Sequence, residues 1–387
     1  MSQLSYMEKL LDGVEVEWRT LGEIVEFRRG SFPQPYGESR WYDGKDSMPF
    51  VQVADVSDEG FLLNKKTKHQ ISVLAQPKSI FVETGTVIVS LQGTIGRVAI
   101  TQYDCYVDRT LAIFTNYKRD INKKYFAYQL KSKFDLEKKH ARGSTLKTIT
   151  KAEFSNFQIP IPPLNVQAEI VRILDTFTEL TAELTAELTA RQQQYEYYRD
   201  QLLTFEEGDV EWKELGEVCE SISSGKNKIK SELGLYPVFG STGIIGRTDT
   251  KVYEKEQILV ARVGANAGRV NIATGEYDVS DNTLIVQNKD SIVLKFLYYY
   301  LVYINLNRFT KGAGQPLLTA GQLKKMLIPT PPIAEQKRIV SILDKFDALT
   351  TTLTEGLPRE IELRQQQYEY YRDLLLSFPK PEVVAHD

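Results

Sequence analysis

The segment RQQQYEYYRDQLL at Arg191–Leu203 returns as RQQQYEYYRDLLL at Arg364–Leu376, with twelve of thirteen residues identical. Upstream, PIPPLNVQAEIVRILD at Pro160–Asp175 returns as PTPPIAEQKRIVSILD at Pro329–Asp344. Self-similarity of this extent indicates a duplicated architecture. We therefore expect two related halves, each ending in a long helix, with a pseudo-two-fold axis between them.

The repeated segments carry the pattern of a coiled-coil seam, in which apolar and aromatic residues recur in steps of three and four. The two series are Ile173, Phe177, Leu180, Leu184, Leu188, Tyr195, Tyr198, Leu202, Phe205 and Ile342, Phe346, Leu349, Leu353, Leu357, Ile361, Tyr368, Tyr371, Leu375, Phe378. About forty residues of helix extend ~60 Å, longer than a domain of this size is wide. This length favours spacer helices over the alternative, an ordinary helical hairpin inside one core.

Proline and glycine predict where these helices begin and break. Pro162-Pro163 and Pro331-Pro332 precede them, because proline is tolerated in the first helical turn. Gly356 and Pro358 predict a break or kink in the second helix. The first helix instead carries tandem TAEL repeats in TELTAELTAELTA. One four-residue unit would move a helix end by ~6 Å.

Composition limits the possible classes of protein. At 387 residues the chain is predicted to hold two domains, and it has no apolar run long enough for a membrane span and no secretory leader pattern. Two cysteines are too few for a disulfide framework or a cysteine zinc site, which fits a cytoplasmic location. A net charge of −3 argues against uniform binding to a polyanion. From Tyr117 to Lys147, however, ten Lys/Arg stand against three Asp/Glu, either as a polyanion-binding stretch or as a solvated amphipathic helix.

Two variable regions, Val14–Ile159 and Asp209–Ile328, lie between the repeated parts and share an outline. Each opens with W-x-x-L-G-E, and a polar, basic turn follows. Thr86–Thr101 and Gln257–Thr274 then place β-branched runs around a glycine turn that ends Gly-Arg-Val, the pattern of a hairpin. We also pair Asp108-Arg109-Thr110 with Asp281-Asn282-Thr283 as turn residues.

The glycine turns carry side chains suited to reading DNA. Arginine pairs with guanine, and glutamine or asparagine with adenine, while hydroxyls and backbone N–H groups bind phosphates. For any single residue, a solvated side chain is the simpler explanation, and the argument gains weight because the set occurs twice. The candidate DNA-binding residues are Arg28, Arg29, Ser31, Gln92, Thr94, Arg97, Ser144, Lys147, Lys226, Asn227, Ser241, Arg262, Asn266, Arg269 and Gln315.

Four motifs together resemble the specificity subunit of type I restriction-modification systems. They are the doubled Pro-Pro-x-x-x-Q-x-x-I-V-x-I-L-D, the doubled W-x-x-L-G-E, GTIGRV at Gly93–Val98 and YPVFGSTGIIG at Tyr236–Gly246. The resemblance implies an α+β fold with two similar α/β target-recognition domains separated by two long antiparallel helices. It implies that the chain reads a split double-stranded DNA target and directs adenine methylation and restriction by two methyltransferase subunits and restriction/translocase subunits. The TEGLPREIEL segment departs from a regular repeat, so the helix pair need not be straight.

The domain boundaries follow from the repeats. We predict an N-terminal helical stub at 1–13, a first target-recognition domain at 14–162, a spacer helix with TAEL repeats at 163–205, a second target-recognition domain at 206–331, a second spacer helix at 332–378 and a flexible tail at 379–387.

The sequence carries no recognisable catalytic motif of its own. No Walker loop is present, the glycines of Gly240–Gly246 are better explained by a turn, and His69, His140 and His386 share no metal spacing. We therefore expect a non-catalytic chain that binds no cofactor, with S-adenosylmethionine, ATP and Mg on the partner subunits and no membrane contact. The alternatives are a stand-alone DNA-modifying enzyme with an unrecognised site and a coiled-coil scaffold.

Overall fold

The computed structural model describes residues 9–11, 13–58, 60–140, 151–206, 208–228, 231–312, 314–350 and 356–379, with the side chains of 138–140 left aside. The chain divides into two compact units. The first unit comprises Met1–Glu183 and Ile361–Asp387, and the second unit comprises Leu184–Glu360. Each unit therefore combines one variable region with parts of the long helices.

The first unit is built on two four-stranded sheets and a two-stranded ladder. The sheet orders are β2-β9-β6-β7 and β4-β3-β8-β5, and β1 pairs with β10. The elements are β1 (Glu17–Thr20), α1 (Leu21–Ile24), β2 (Val25–Arg29), β3 (Met48–Val51), β4 (His69–Ile71), β5 (Ile80–Val82), β6 (Val87–Ser90), β7 (Val98–Ile100), β8 (Cys105–Val107), β9 (Leu111–Tyr117), α2 (Lys123–His140), α3 (Lys151–Ser155), β10 (Gln158–Ile161) and α4 (Leu164–Leu203), which continues into the second unit.

The second unit repeats this plan with a smaller accessory sheet. Its sheet orders are β12-β18-β15-β16 and β14-β13-β17, and β11 pairs with β19. The elements are β11 (Glu211–Glu214), α5 (Leu215–Val218), β12 (Cys219–Ser224), β13 (Tyr236–Gly240), β14 (Gly243–Thr248), β15 (Gln257–Ala261), β16 (Val270–Ala273), β17 (Asp278–Val279), β18 (Thr283–Asn288), α6 (Leu294–Tyr303), α7 (Ala320–Lys324), β19 (Leu327–Thr330), α8 (Ile333–Thr350) and α9 (Gly356–Leu376), whose larger part belongs to the first unit.

Alternation along the central strands explains the layered core. In β6, Val87 and Val89 face the core that contains α2, whereas Ile88 faces the core shared with the accessory sheet. In β15, Ile258 faces the core that contains α6 and Leu259 faces the accessory sheet. Because successive side chains of a strand point to opposite faces, a continuous apolar run fits a strand that is covered on both sides.

A carboxylate from the spacer helix ties each domain helix in place. In the first unit, Asp175 pairs with Lys124 at 2.6 Å and accepts a hydrogen bond from the Tyr128 hydroxyl at 3.0 Å. In the second unit, Asp344 pairs with Lys295 at 2.7 Å and accepts from the Tyr299 hydroxyl at 2.7 Å. The repeated ILD motif is therefore a docking point for the preceding domain.

A buried glutamine completes this junction in each unit. The Gln167 amide accepts from the Asn122 backbone N–H at 2.8 Å and donates to the Pro162 carbonyl at 2.7 Å. The Gln336 amide accepts from the Val293 N–H at 2.7 Å and donates to the Pro331 carbonyl at 2.8 Å. Because a buried backbone group without a partner is costly, this glutamine fixes where the proline pair meets the domain helix.

The long helices form as the proline pairs and the seam predicted. α4 is a continuous helix of 40 residues that begins directly after Pro163. Within the first unit, Phe177 stacks on Tyr371 with ring centroids 5.3 Å apart, and within the second unit Tyr198 stacks on Phe346 at 5.7 Å. These contacts place the predicted seam residues of one helix against those of another.

The predicted interruption of the second long helix is present. α8 ends at Thr350, and the next described helix begins at Gly356, which has a positive φ of 77°. A Cβ atom at Gly356 would lie 2.5 Å from the Ala348 carbonyl oxygen, so only glycine fits this approach. Among the described residues, no helix has the length and apolar character needed to cross a membrane.

We expect Gln336→Ala to lower the free energy of unfolding by about 1–3 kcal/mol, because it removes two hydrogen bonds and leaves the half-buried Val293 N–H and the buried Pro331 carbonyl without these partners. Urea denaturation of the full chain measures the change. Gln193→Ala on the exposed face of α4 is the matched control and should change the free energy by less than about 0.5 kcal/mol. Equal effects of the two substitutions would contradict the role assigned to Gln336.

Candidate nucleic-acid interface

Three loops of the first unit meet at one end of the central sheet. The Gly30 N–H donates to the Leu111 carbonyl at 3.0 Å, and the Leu91 N–H donates to the Thr110 carbonyl at 2.9 Å. These bonds join the loop after β2, the β6–β7 turn and the loop before β9. We call residues 28–31, 91–97 and 108–110 the first loop cluster.

The second unit forms the matching arrangement. The Gly225 N–H donates to the Thr283 carbonyl at 3.0 Å, and the Arg262 N–H donates to the Asn282 carbonyl at 3.0 Å. We call residues 224–227, 262–269 and 280–282 the second loop cluster. Two further segments join it: the Ser241 hydroxyl donates to the Asn282 carbonyl at 3.2 Å, and the loop of residues 314–318 bonds to the hairpin through the Leu318 N–H and the Arg262 carbonyl at 2.8 Å.

Glycine is required where the loops of each cluster converge. A Cβ atom at Gly30 would lie 2.1 Å from the Val107 carbonyl oxygen, and one at Gly225 would lie 2.2 Å from the Val279 carbonyl oxygen. Both distances are far below van der Waals contact, so any side chain would push the loops apart. The glycines of the two polar turns therefore hold the clusters closed.

The hairpin turns have the predicted correspondence. Gly96 and Gly268 have positive φ angles of 83° and 91°, and their N–H groups donate to the carbonyls of Ser90 at 2.9 Å and Ala261 at 2.8 Å. The prediction that Gly96-Arg97 matches Gly268-Arg269 is confirmed. The closing Gly-Arg of the turn therefore makes the same backbone bonds in the two units, although the turn of the second unit is one residue longer.

The two matched arginines nevertheless have different surroundings. The Arg97 guanidinium donates to the carbonyls of Val53 and Val56, both at 3.2 Å, and pairs with Asp58 at 2.6 Å, so its side chain is only 21% exposed. Arg269 is exposed. Arg97 therefore braces a loop of its own domain, whereas the Arg269 side chain extends into solvent.

The remaining predicted residues divide into exposed and anchored groups. Arg28, Arg29, Thr94, Lys226 and Gln315 are exposed, and Gln92 and Asn266 are partly exposed. Hydrogen bonds within the chain engage the others: Ser31 with the Lys78 carbonyl, Asn227 with Asp278, Ser241 with the Asn282 carbonyl and Arg262 with the Asp281 carbonyl. Ser144 and Lys147 lie outside the described residues.

One predicted match between the halves is wrong by one residue. Asp108 accepts from the Thr110 N–H at 2.9 Å, and the group that accepts from the Asn282 N–H at 3.1 Å is the Ser280 hydroxyl. Asp108 therefore corresponds to Ser280 and not to Asp281. The sequence prediction aligned Asp108 with Asp281 and Thr110 with Thr283 because the residue types are the same. The backbone hydrogen bonds show which positions of the two loops correspond, and they differ from that alignment by one residue. Arg109, Thr110, Asp281 and Asn282 lie in turns, as predicted, whereas Thr283 is the first residue of β18.

Three exposed cations in or near the first loop cluster were not among the predicted DNA-binding residues. The Arg40 guanidinium lies 4.3 Å and the Lys78 ammonium 4.9 Å from the Trp41 ring centroid, and the Arg109 guanidinium lies 5.6 Å from the Tyr36 ring centroid. Cations of this kind can bind phosphates while stacked on aromatic rings. In the sequence, Arg40 is adjacent to Trp41, but Lys78 and Arg109 are far from the aromatic residues that they contact. A pattern of this kind is too common to identify a binding site.

The basic stretch on α2 is largely paired within the chain. Lys124 pairs with Asp175, Lys131 with Asp135 at 2.8 Å, and Lys133 with Glu137 at 3.0 Å. These pairs offset part of the charge that the sequence suggested for a polyanion; the side chains of residues 138–147 lie outside the described part of the chain. Of the two explanations offered for this stretch, the pairs favour the solvated amphipathic helix.

Reactive groups are scarce in the described part of the chain. Burial raises the pKa of the Cys105 and Cys219 thiols to about 12, so neither forms a thiolate near neutral pH. Burial, together with the Asp108 carboxylate, raises the pKa of the Tyr36 hydroxyl well above its usual range. Among the described residues, no group of His, Cys, Asp and Glu is placed to hold a metal ion. The loop clusters offer hydrogen-bond donors, acceptors and positive charge.

Comparison with known proteins establishes the family. The model of the type I restriction modification DNA specificity domain matches residues 13–191 and 207–363, so the chain belongs to this family. The EcoR124I/EcoR124II specificity subunit of Escherichia coli is 38% identical, with 100% of both chains covered. The EcoprrI specificity subunit of E. coli is 35% identical, covering 92% of this chain and 93% of the relative.

Solved structures agree on the fold. The S subunit of a type I restriction-modification system from M. genitalium superposes with a TM-score of 0.59 at 18% identity, covering 95% of this chain and 98% of that one. A chain from a study of complex assembly and conformational transition of the type I R-M system gives 0.60 at 18% identity, covering 94% and 98%. The chain is thus a type I specificity subunit with two α/β target-recognition domains and long helices, as its motifs suggested.

Arg97 and Arg269 should respond differently to the same substitution. We expect Arg97→Gln to lower the free energy of unfolding by about 1–3 kcal/mol, because the Val53 and Val56 carbonyls lose their donor. Arg269→Gln should change it by less than about 0.5 kcal/mol, because no buried partner is left behind. Urea denaturation of the two variants decides the matter, and a reversed order of stability would refute the assignment.

Proposed function

We propose that this chain reads a bipartite double-stranded DNA target, with each target-recognition domain contacting one half-site through its loop cluster. The observation that carries the proposal is the convergence, in both units, of the glycine turn and the polar loops on the same end of the central sheet. The exposed members of these clusters are residues of the types that bind base edges and phosphates. Two clusters in one chain fit a target in two parts.

The charge distribution supports DNA binding at the loop clusters, although the net charge of the chain is −3. Arg28 and Arg29 stand exposed at the first loop cluster, and Lys226 and Arg269 at the second. On α2, by contrast, three of the four lysines whose side chains are described pair with carboxylates of the same chain, and Lys123 donates to the Gly85 carbonyl. Exposed positive charge is therefore present at the loops, where a phosphate backbone would lie.

We assign the chemistry to partner subunits. In this proposal two methyltransferase subunits methylate adenine in the recognised target, and restriction/translocase subunits join the same complex. The cofactors S-adenosylmethionine, ATP and Mg would be bound by those partners, and this chain would act without catalysis. The protonated, buried thiols of Cys105 and Cys219 are consistent with a chain that supplies recognition only.

DNA binding tests the proposal directly. Fluorescence anisotropy of labelled genomic fragments, with and without a methyltransferase subunit, should show binding whose salt dependence weakens by about one unit of slope in Lys226→Glu, because one phosphate contact is lost. Lys255→Glu is the matched control: Lys255 is exposed just before β15, whereas the second loop cluster follows its other end. It should leave the slope unchanged.

Two outcomes would overturn the proposal. If neither mixture binds DNA, the chain is better explained as a coiled-coil scaffold. If the chain alone transfers a labelled methyl group from S-adenosylmethionine to DNA, it is a stand-alone modifying enzyme.

The TAEL repeat provides a second test. Deletion of Thr185–Leu188 removes one four-residue unit from α4 and shortens it by about 6 Å, close to two base pairs of duplex. We expect methylation mapping in cells that carry the chain and its methyltransferase partner to show a shorter unread gap with both half-sites unchanged. Ala substitution of Glu187 without deletion is the control and should leave the gap as it was. A change in the half-site bases would contradict the spacer role.

A further inference from the structure

The two domain helices can be aligned residue by residue from their contacts. Lys124 and Tyr128 of α2 bind Asp175, as Lys295 and Tyr299 of α6 bind Asp344. This register places Gln129 opposite Tyr300 and Ser132 opposite Tyr303. The first unit therefore lacks two aromatic rings that the second unit carries at the same place.

In the second unit, Tyr303 fills the space between α6 and the end of α4. Its hydroxyl lies 2.8 Å from the Thr204 hydroxyl, and the Arg199 guanidinium lies 5.9 Å from its ring centroid. The ring centroids of Tyr300 and Tyr303 are 6.2 Å apart, and those of Trp212 and Tyr300 are 6.5 Å apart. The phenol is thus held by a hydroxyl, a cation and neighbouring rings.

In the first unit, the same surroundings line a cavity of about 350 Å³ that is open to solvent. Arg372 and Ser377 line it, and they repeat Arg199 and Thr204 at the end of the duplicated helix. Trp18 lines it as the repeat of Trp212. The first unit therefore has the counterparts of the groups that hold the Tyr303 phenol, whereas Ser132 stands at the position of Tyr303 itself.

We propose that this cavity binds a tyrosine side chain presented by a partner protein. The Arg372 guanidinium would lie over the ring, and the Ser377 hydroxyl would hydrogen-bond to the phenol oxygen, as their counterparts do with Tyr303. A partner chain is the source because the volume exceeds that of one ring and leaves room for the adjoining backbone. Tyrosine is also a residue type that anchors protein interfaces. The inference does not depend on DNA reading.

The experiment titrates N-acetyl-L-tyrosinamide into the full chain by ligand-observed saturation-transfer NMR. We expect binding with a dissociation constant of about 1 mM or tighter, the range available to a ligand of this size. N-acetyl-L-phenylalaninamide, which lacks the hydroxyl, should bind about two- to tenfold more weakly, the usual value of one neutral hydrogen bond. If 4-methylphenol binds while N-acetyl-L-tyrosinamide does not, the cavity serves a free phenol and the proposal fails.

Three variants locate the binding. Ser132→Tyr restores the aromatic ring of the second unit and should abolish binding of the probe. Ser377→Ala should weaken N-acetyl-L-tyrosinamide to the level of the phenylalanine analogue, and it keeps the proposal testable if Ser132→Tyr does not fold. Thr204→Ala is the matched control in the second unit and should leave binding unchanged. Absence of binding to the unmodified chain, or binding that survives both first-unit variants, would overturn the proposal.

Discussion

The structure depends on one repeated junction between a spacer helix and the domain that precedes it. A single aspartate, Asp175 or Asp344, receives a lysine and a tyrosine hydroxyl from the domain helix, and a buried glutamine satisfies a backbone N–H of the same helix. The glutamine is the stronger constraint, because its removal would strand buried backbone groups, whereas the partly exposed ion pair contributes less. The orientation of each domain on its own stretch of helix follows from these bonds.

The junction is the same in the two units, whereas the sheets and loops that it supports differ. The first unit carries a four-stranded accessory sheet and the second a three-stranded one, yet both loop clusters are closed by a glycine pressed against a backbone carbonyl. At the matched Gly-Arg positions, Arg97 braces a loop of its own domain and Arg269 is exposed. A recognition protein of this design can change the side chains at the loops without disturbing the junctions that support them.

The two domain helices also differ at two aligned positions. Gln129 and Ser132 stand where the second unit has Tyr300 and Tyr303, although the arginine and the hydroxyl that contact the second ring are kept. The two halves are therefore equivalent in their framework and unequal in their surfaces.

Periodicity, proline and glycine act locally, so they suffice to predict the duplicated plan, the long helices, the proline starts, the break at Gly356 and the pairing of the two hairpin turns. Tertiary structure decided the rest. That Arg97 is held by Val53 and Val56, that α2 lysines are paired, and that Asp108 corresponds to Ser280 depend on contacts between distant segments. A residue's letter states which bonds it can make, whereas only the folded neighbours determine which bonds it does make.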